Sequence, residues 1–233
     1  MRVYSYTNEV VDSVDVGLRQ YMQRIYAYMG IGLAITGTMA FLVSHSMVLM
    51  SLFFGTPLRW VVLFAPLGIV MFLSARLQHV SFAVAQATFW GYAATMGISL
   101  SYIFLAYTQQ SVALTFFVSA STFLAMSLYG YVTQKSLTGM GAFLTMGVWG
   151  LIIASLVNLL FESSAFQFGL SVLTVGIFAG LTAYDTQEMK HLYYALDSQE
   201  TSGKKAVWGA LRLYLDFINI FMSLLHIFGD RRS

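Results

Sequence analysis

The stretch LQHVSFAVAQATFWGYAATMGISLSYIFLAYTQQSVALTFFVSASTFLAMSLYGYVTQ, residues 77–134, decides the fold, because none of its 58 residues is Lys, Arg, Asp or Glu. As a single helix it would reach about 87 Å at 1.5 Å per residue. The hydrocarbon core of a bilayer is only about 30 Å thick. The stretch must therefore double back, and its most polar run, Thr108-Gln109-Gln110-Ser111, is where it can do so. Two spans result, over 82–107 and 112–132. Their apolar residues run continuously rather than alternating, which points to membrane helices and away from the strands of a barrel.

Working outward, the other charge-poor runs are of the same kind. They place spans over 25–44, 58–76, 138–160, 166–187 and 206–228. The second contains Pro66, which neighbouring membrane helices can accommodate. Residues 45–56 read as a loop or interfacial segment, and 191–205, the longest charged stretch, as a polar loop. The expectation is an all-α polytopic membrane protein, a single membrane domain over 1–233 with seven transmembrane helices. Residues 1–24 precede the first span as an N-terminal cytoplasmic segment. It carries Glu9, Asp12 and Asp15 and no early apolar run, so it is not read as a cleavable signal peptide.

Composition supports this reading and excludes others. Of 233 residues, 58% are hydrophobic and 9% charged, with a net charge of +2, and mean hydropathy is +0.72. A soluble domain carries about 25% charged residues. An ordinary soluble enzyme, a disordered chain and a nucleic-acid binder are thereby set aside. Cys is absent, which removes disulfides and thiol chemistry. No paired-histidine spacing suggests zinc, and no tightly bound cofactor is expected. The glycines at 30, 32, 91, 97, 139, 141, 147 and 150 are read as helix-packing positions.

Cations in short loops set the orientation. With the N-terminus in the cytoplasm, Arg2, Arg19, Arg24, Arg76, Lys135, Lys190, Lys204 and Lys205 lie inside, and Arg59, Arg231 and Arg232 outside. Seven spans then put the C-terminus outside.

Ionisable groups within a membrane are costly, so each is a candidate for function. Asp216 lies near the middle of the seventh span and Asp185 toward the inner end of the sixth. The two helices are consecutive and antiparallel, so the carboxyl groups can reach similar depth. Two such groups close together in a low dielectric tend to share one proton. Their oxygens are also what Ca²⁺ prefers, so a cation and the proton would compete for the same atoms, with an arginine as alternative counter-ion. The spacing equally allows a plain structural arrangement, in which Asp216 pairs with Arg212 one turn earlier and Asp185 caps or solvates the end of its helix. Asn219, three residues after Asp216, is a supporting candidate that either lines a path or bonds across helices.

Three segments carry a resemblance to a known family: Ala183-Tyr184-Asp185-Thr186-Gln187, the run Leu213 to Phe221 (LYLDFINIF), and Gly91 to Ser101 (GYAATMGISLS). Together they resemble the Bax inhibitor-1 family, the transmembrane Bax-inhibitor-motif group, in its bacterial members. The resemblance implies seven helices with the seventh in the centre. It implies a pH-sensitive Ca²⁺ leak in which Asp185 and Asp216 form a proton-sensing, ion-binding dyad and Arg76 latches onto the sixth-helix aspartate. It also implies a bacterial inner membrane. The expected partners are the lipid bilayer, Ca²⁺ and protons, with no nucleic acid.

Two rival readings remain. One is a non-catalytic regulator that binds a membrane protease or another membrane protein. The other, more remote, is an intramembrane aspartyl protease. Against the protease, the second aspartate follows Leu213-Tyr214-Leu215 rather than G-x-G-D, and no Pro-Ala-Leu occurs downstream. No enzymatic activity is expected.

Overall fold

The computed structural model describes residues 2–76 and 79–232, with side chains from Val16 onward. The chain forms α1 (Arg2–Ser44), α2 (Met47–Phe54), α3 (Leu58–Arg76), α4 (Phe82–Leu100), α5 (Ile103–Ala106), α6 (Gln109–Val132), α7 (Thr138–Phe161), α8 (Ser164–Leu192) and α9 (Gln199–Phe228). Seven stretches are long and apolar enough to cross a membrane: Val16–Ser44, Leu58–Arg76, Phe82–Ala106, Gln109–Val132, Thr138–Phe161, Ser164–Leu192 and Gln199–Phe228. In lipid every backbone polar group must find its partner within the segment, and helices achieve this.

Hydroxyl side chains decide where the helices begin. Ser46, Ser81, Thr108, Ser163 and Ser198 each accept a hydrogen bond from the N–H three residues on, at the starts of α2, α4, α6, α8 and α9. Thr108 thus sets the reversal in the long apolar run. Two expected loops are largely helical. Residues 47–54 of the first form α2. In the second, α8 continues to Leu192 and α9 begins at Gln199, leaving residues 193–198 between them. The Ser198 cap, with Glu200 in the first turn, starts α9 well before its apolar part.

Pro66, inside α3, removes the N–H that would bond the Val62 carbonyl. The Ser99 hydroxyl of α4 lies 2.6 Å from that buried carbonyl and donates to it. The proline is thus absorbed by a neighbouring helix.

The interior belongs to α9. Buried residues make up 61% of its most apolar window, against 6–33% for the other six spans. It packs on α8, α1, α6 and α4, while α3 rests on α4, and α7 on α8. The bundle has two distinct ends. The start of α9 meets the start of α4 at one, where Glu200 Oε1 accepts the Phe82 N–H at 3.4 Å. The ends of α3, α6 and α8 lie there with Arg76, Lys135 and Lys190, as do Lys204 and Lys205 of α9, and it is called the basic end below. The other, the tail end, holds α2, α5 and the C-terminal residues. Here Tyr107 bridges Arg231, and the Asp230 N–H donates to Ser111 Oγ at 3.0 Å.

Candidate functional site

Close to the basic end, α8 is buried on nearly all sides. Leu181, Thr182, Ala183, Asp185, Thr186, Gln187 and Met189 are all shielded. Close approach by neighbouring backbones makes this possible. On α6, a Cβ at Gly130 would collide with the Ala183 carbonyl. Polar side chains at such a depth need partners, and each has found one. Gln187 spans the α6–α7 turn, its Oε1 accepting from the Leu137 N–H at 2.8 Å and its Nε2 donating to the Lys135 carbonyl at 2.9 Å. Thr186 Oγ1 is 3.0 Å from Ser127 Oγ, which is 2.6 Å from the Tyr26 hydroxyl. A hydroxyl chain thus links α8, α6 and α1.

Arg212 of α9 points across to α8 rather than along its own helix. Its Nε donates to Asp185 Oδ2 at 3.0 Å and its Nη2 to Oδ1 at 2.5 Å, a two-pronged pair that suits a planar guanidinium. Its Nη1 donates to Glu188 Oε2 at 2.7 Å. Asp216, one turn further along α9, lies in the packed interior, and its Oδ2 has no hydrogen-bond partner among the described residues. Asp185 and Arg212 are the charged groups that act on it. The site therefore sets two carboxylates on one guanidinium, with the Asp216 carboxyl one turn further along α9.

Beyond Asp216 toward the tail end, α9 packs on α6 through aromatic rings. Phe217 stands 5.4 Å from Phe116 and 6.0 Å from Phe123, centroid to centroid, and Phe221 6.4 Å from Phe116.

The sequence-derived candidates are distributed as follows. Asp185 and Asp216 are both buried between α8 and α9. Arg212 serves Asp185 and Glu188, not Asp216. Asn219 donates to the Leu215 carbonyl of its own helix at 2.8 Å. Arg76, the last residue of α3, is exposed. It is in none of the three ion pairs formed among the described residues, which join Lys205 to Asp197 and Arg212 to Asp185 and Glu188. The arginine latched onto the sixth-span aspartate is thus Arg212. The reason is packing: α3 lies against α4, and α4 stands between it and α9. Glu188 was not among the candidates, although its spacing from Asp185 (i, i+3) puts both on one helix face. As for calcium, no three His, Cys, Asp or Glu side chains converge on a metal position among the described residues.

Residues 18–233 match the family described as Inhibitor of apoptosis-promoting Bax1. The chain belongs to the Bax inhibitor-1 family. Three similar proteins from bacteria illustrate the relationship. The chain is 43% identical to the inner membrane protein YbhL of Escherichia coli over 219 residues, covering 93% of this chain and 94% of YbhL. It is 44% identical to an uncharacterised protein, RP147, of Rickettsia prowazekii, with 94% of this chain and 93% of that one covered. A Caulobacter vibrioides protein is 42% identical over 231 residues, covering 95% and 92% of the two chains. Family membership and the seven apolar helices together make the chain an integral membrane protein with a lipid bilayer as its environment.

Proposed function

We propose that this Bax inhibitor-1 family protein is a pH-responsive calcium leak, seen here closed, in which protons and Ca²⁺ compete for the carboxyl groups of Asp185 and Asp216. The observation that carries this reading is the buried carboxyl of Asp216, whose Oδ2 has no hydrogen-bond partner, beside an Asp185 already claimed by Arg212. Leaving an unpaired carboxylate in such a place costs far more than protonating it. Asp216 therefore holds a proton while Arg212 neutralises Asp185, and Glu188 shares the same guanidinium.

Opening follows from loss of that balance. When Asp216 releases its proton, a second negative charge appears near Asp185, and the guanidinium, already taken by Asp185 and Glu188, does not neutralise it. The packing of α8 against α9 then shifts, and the Phe116, Phe217 and Phe221 rings part. A passing Ca²⁺ meets the freed oxygens in transit; the protein holds no resident metal and performs no covalent chemistry. Ca²⁺ and protons are on this reading the substrates. The inner-membrane description of YbhL supports the same membrane for this chain. On this reading the basic end faces the cytoplasm and the C-terminal tail lies outside, the arrangement that an excess of cations on one side favours.

The test is Ca²⁺ flux into liposomes holding the purified protein, on the acid and alkaline sides of neutrality, beside Asp216→Asn and Asp185→Asn. Flux that varies with pH in the wild type and loses that variation in Asp216→Asn is expected. Flux with an identical pH profile in both folded variants would overturn the role of the pair. No flux above empty liposomes, from protein shown to be inserted and folded, would favour a regulator that binds another membrane protein.

A further inference from the structure

In the half of the bundle nearer the tail end, α1 and α6 both pack on α9. Between them lies a groove of about 310 Å³. Its walls are Leu33 and Gly37 of α1 and Ala113 and Phe117 of α6, and its floor is Phe217 and Ile218 of α9. All six belong to membrane-spanning stretches, so the groove opens sideways onto hydrocarbon rather than onto water. Its one buried hydroxyl makes no demand on an occupant. Thr36 Oγ1 is satisfied by the Gly32 and Ala93 carbonyls, both at 2.9 Å, and by the Tyr214 hydroxyl at 2.7 Å. A Cβ built at Gly37 meets nothing within 4 Å, so the space beside it is open.

The mouth of the groove has a different chemistry. Gln109 forms its rim at the start of α6 and lies 3.4 Å from His45 Nε2. The C-terminal tail is fastened to the residues just before Gln109. The Thr108 N–H donates to the Asp230 carbonyl at 3.1 Å, and the Arg232 N–H donates to the Ala106 carbonyl at 3.0 Å. This anchors the exposed Arg231 and Arg232 at the membrane edge above the groove, with Asp230 as the acid beside them. An apolar slot in the hydrocarbon, with two arginines on a backbone-anchored tail beside its mouth, has the two-part chemistry of one ligand class.

We propose that the α1–α6 groove is a binding site for an anionic phospholipid, with an acyl chain lying against Phe217 and Ile218 of α9 and the phosphate held by Arg231 and Arg232. The occupant touches the same helix that carries Asp216, so bound lipid braces the central helix from the side away from α8. The inference does not depend on what the protein transports.

The test is native mass spectrometry of the purified protein in detergent, with phosphatidylglycerol and with phosphatidylcholine of the same acyl chains. One phosphatidylglycerol per chain should survive activation that strips phosphatidylcholine, and its addition should raise the thermal midpoint. Gly37→Leu fills the slot from α1 and should weaken retention by about tenfold or more. Ala113→Leu does so from α6 and serves if the first variant fails to fold. The paired change Arg231→Ala, Arg232→Ala should leave a lipid bound but abolish the preference for phosphatidylglycerol. Undiminished retention in a folded groove-filling variant would overturn the site. So would equal retention of the two lipids by the wild type, or a dimer of this chain that forms through the groove and is lost on filling it.

Discussion

Replacing Arg212 with methionine isolates the electrostatics of the site. The side chain keeps an apolar stem and loses its guanidinium and its charge. Left behind are Asp185, whose side chain is 6% exposed, and Glu188, at 33%. Glu188 can turn to water, and an exposed pair of this kind contributes about 0–1 kcal/mol. Asp185 cannot, and stripping one partner from a buried pair costs about 3–5 kcal/mol. The Arg212 side chain is itself 24% exposed, which admits some water. The lower end of that range therefore applies, about 3 kcal/mol, or roughly a hundredfold in the folding equilibrium. The penalty comes from a stranded charge, so neutralising that charge should relieve it. Arg212→Met combined with Asp185→Asn should recover about 2 kcal/mol of the loss, whereas combination with Glu188→Gln should recover little. The assay is reversible unfolding in mixed micelles by graded addition of SDS, read by tryptophan fluorescence; Trp208 lies one turn before Arg212. Independent, additive effects of Arg212→Met and Asp185→Asn would refute the reasoning. So would a cost for Arg212→Met below about 1 kcal/mol, the range of a solvated pair.

Three further outcomes are expected. Arg76→Gln should leave the pH response of Ca²⁺ passage unchanged in liposome flux, while Arg212→Gln should alter it, because Arg212 is the guanidinium that touches Asp185. Ser99→Ala should cost about 1–3 kcal/mol by stranding the Val62 carbonyl. In a Pro66→Ala background that cost should largely vanish, because residue 66 then supplies the missing N–H; the same unfolding assay measures the cycle. Gln187→Leu should strand the Leu137 N–H and the Lys135 carbonyl at about 1–3 kcal/mol each. Faster hydrogen exchange in the α6–α7 turn is the signature to look for.

Much of the architecture is legible without coordinates because bilayer physics writes it into composition. A run of 58 residues without charge has to turn, and the one cluster of polar residues within it holds Thr108, whose hydroxyl caps α6. Helix ends were less legible. Apolar runs mark where hydrocarbon begins and ends, but a capped helix continues through the polar interface, as α8 and α9 do. The site divides along the same line. Asp185 and Asp216 stand out because ionisable residues are rare in membrane helices. The assignment of Arg212 could not be read from spacing, because Arg212 and Asp216 share a helix face in sequence while the guanidinium bonds across to another helix.

The sequence by itself determined the solvent and the element type: with so few charges, this chain has no stable option but helices in lipid. It also determined which residues carry the burden of charge inside that bilayer. Only the tertiary structure decided how the charges are shared. Which arginine meets which acid depends on the order in which helices pack around α9, with α4 holding α3 and Arg76 away while α8 brings Asp185 and Glu188 to Arg212. It also decided that α1 and α6 leave an open slot between them. Hydrocarbon solvates every apolar helix face about equally well, so composition cannot say which faces meet; that falls to backbone approach at small residues such as Gly130 and to a few buried hydrogen bonds.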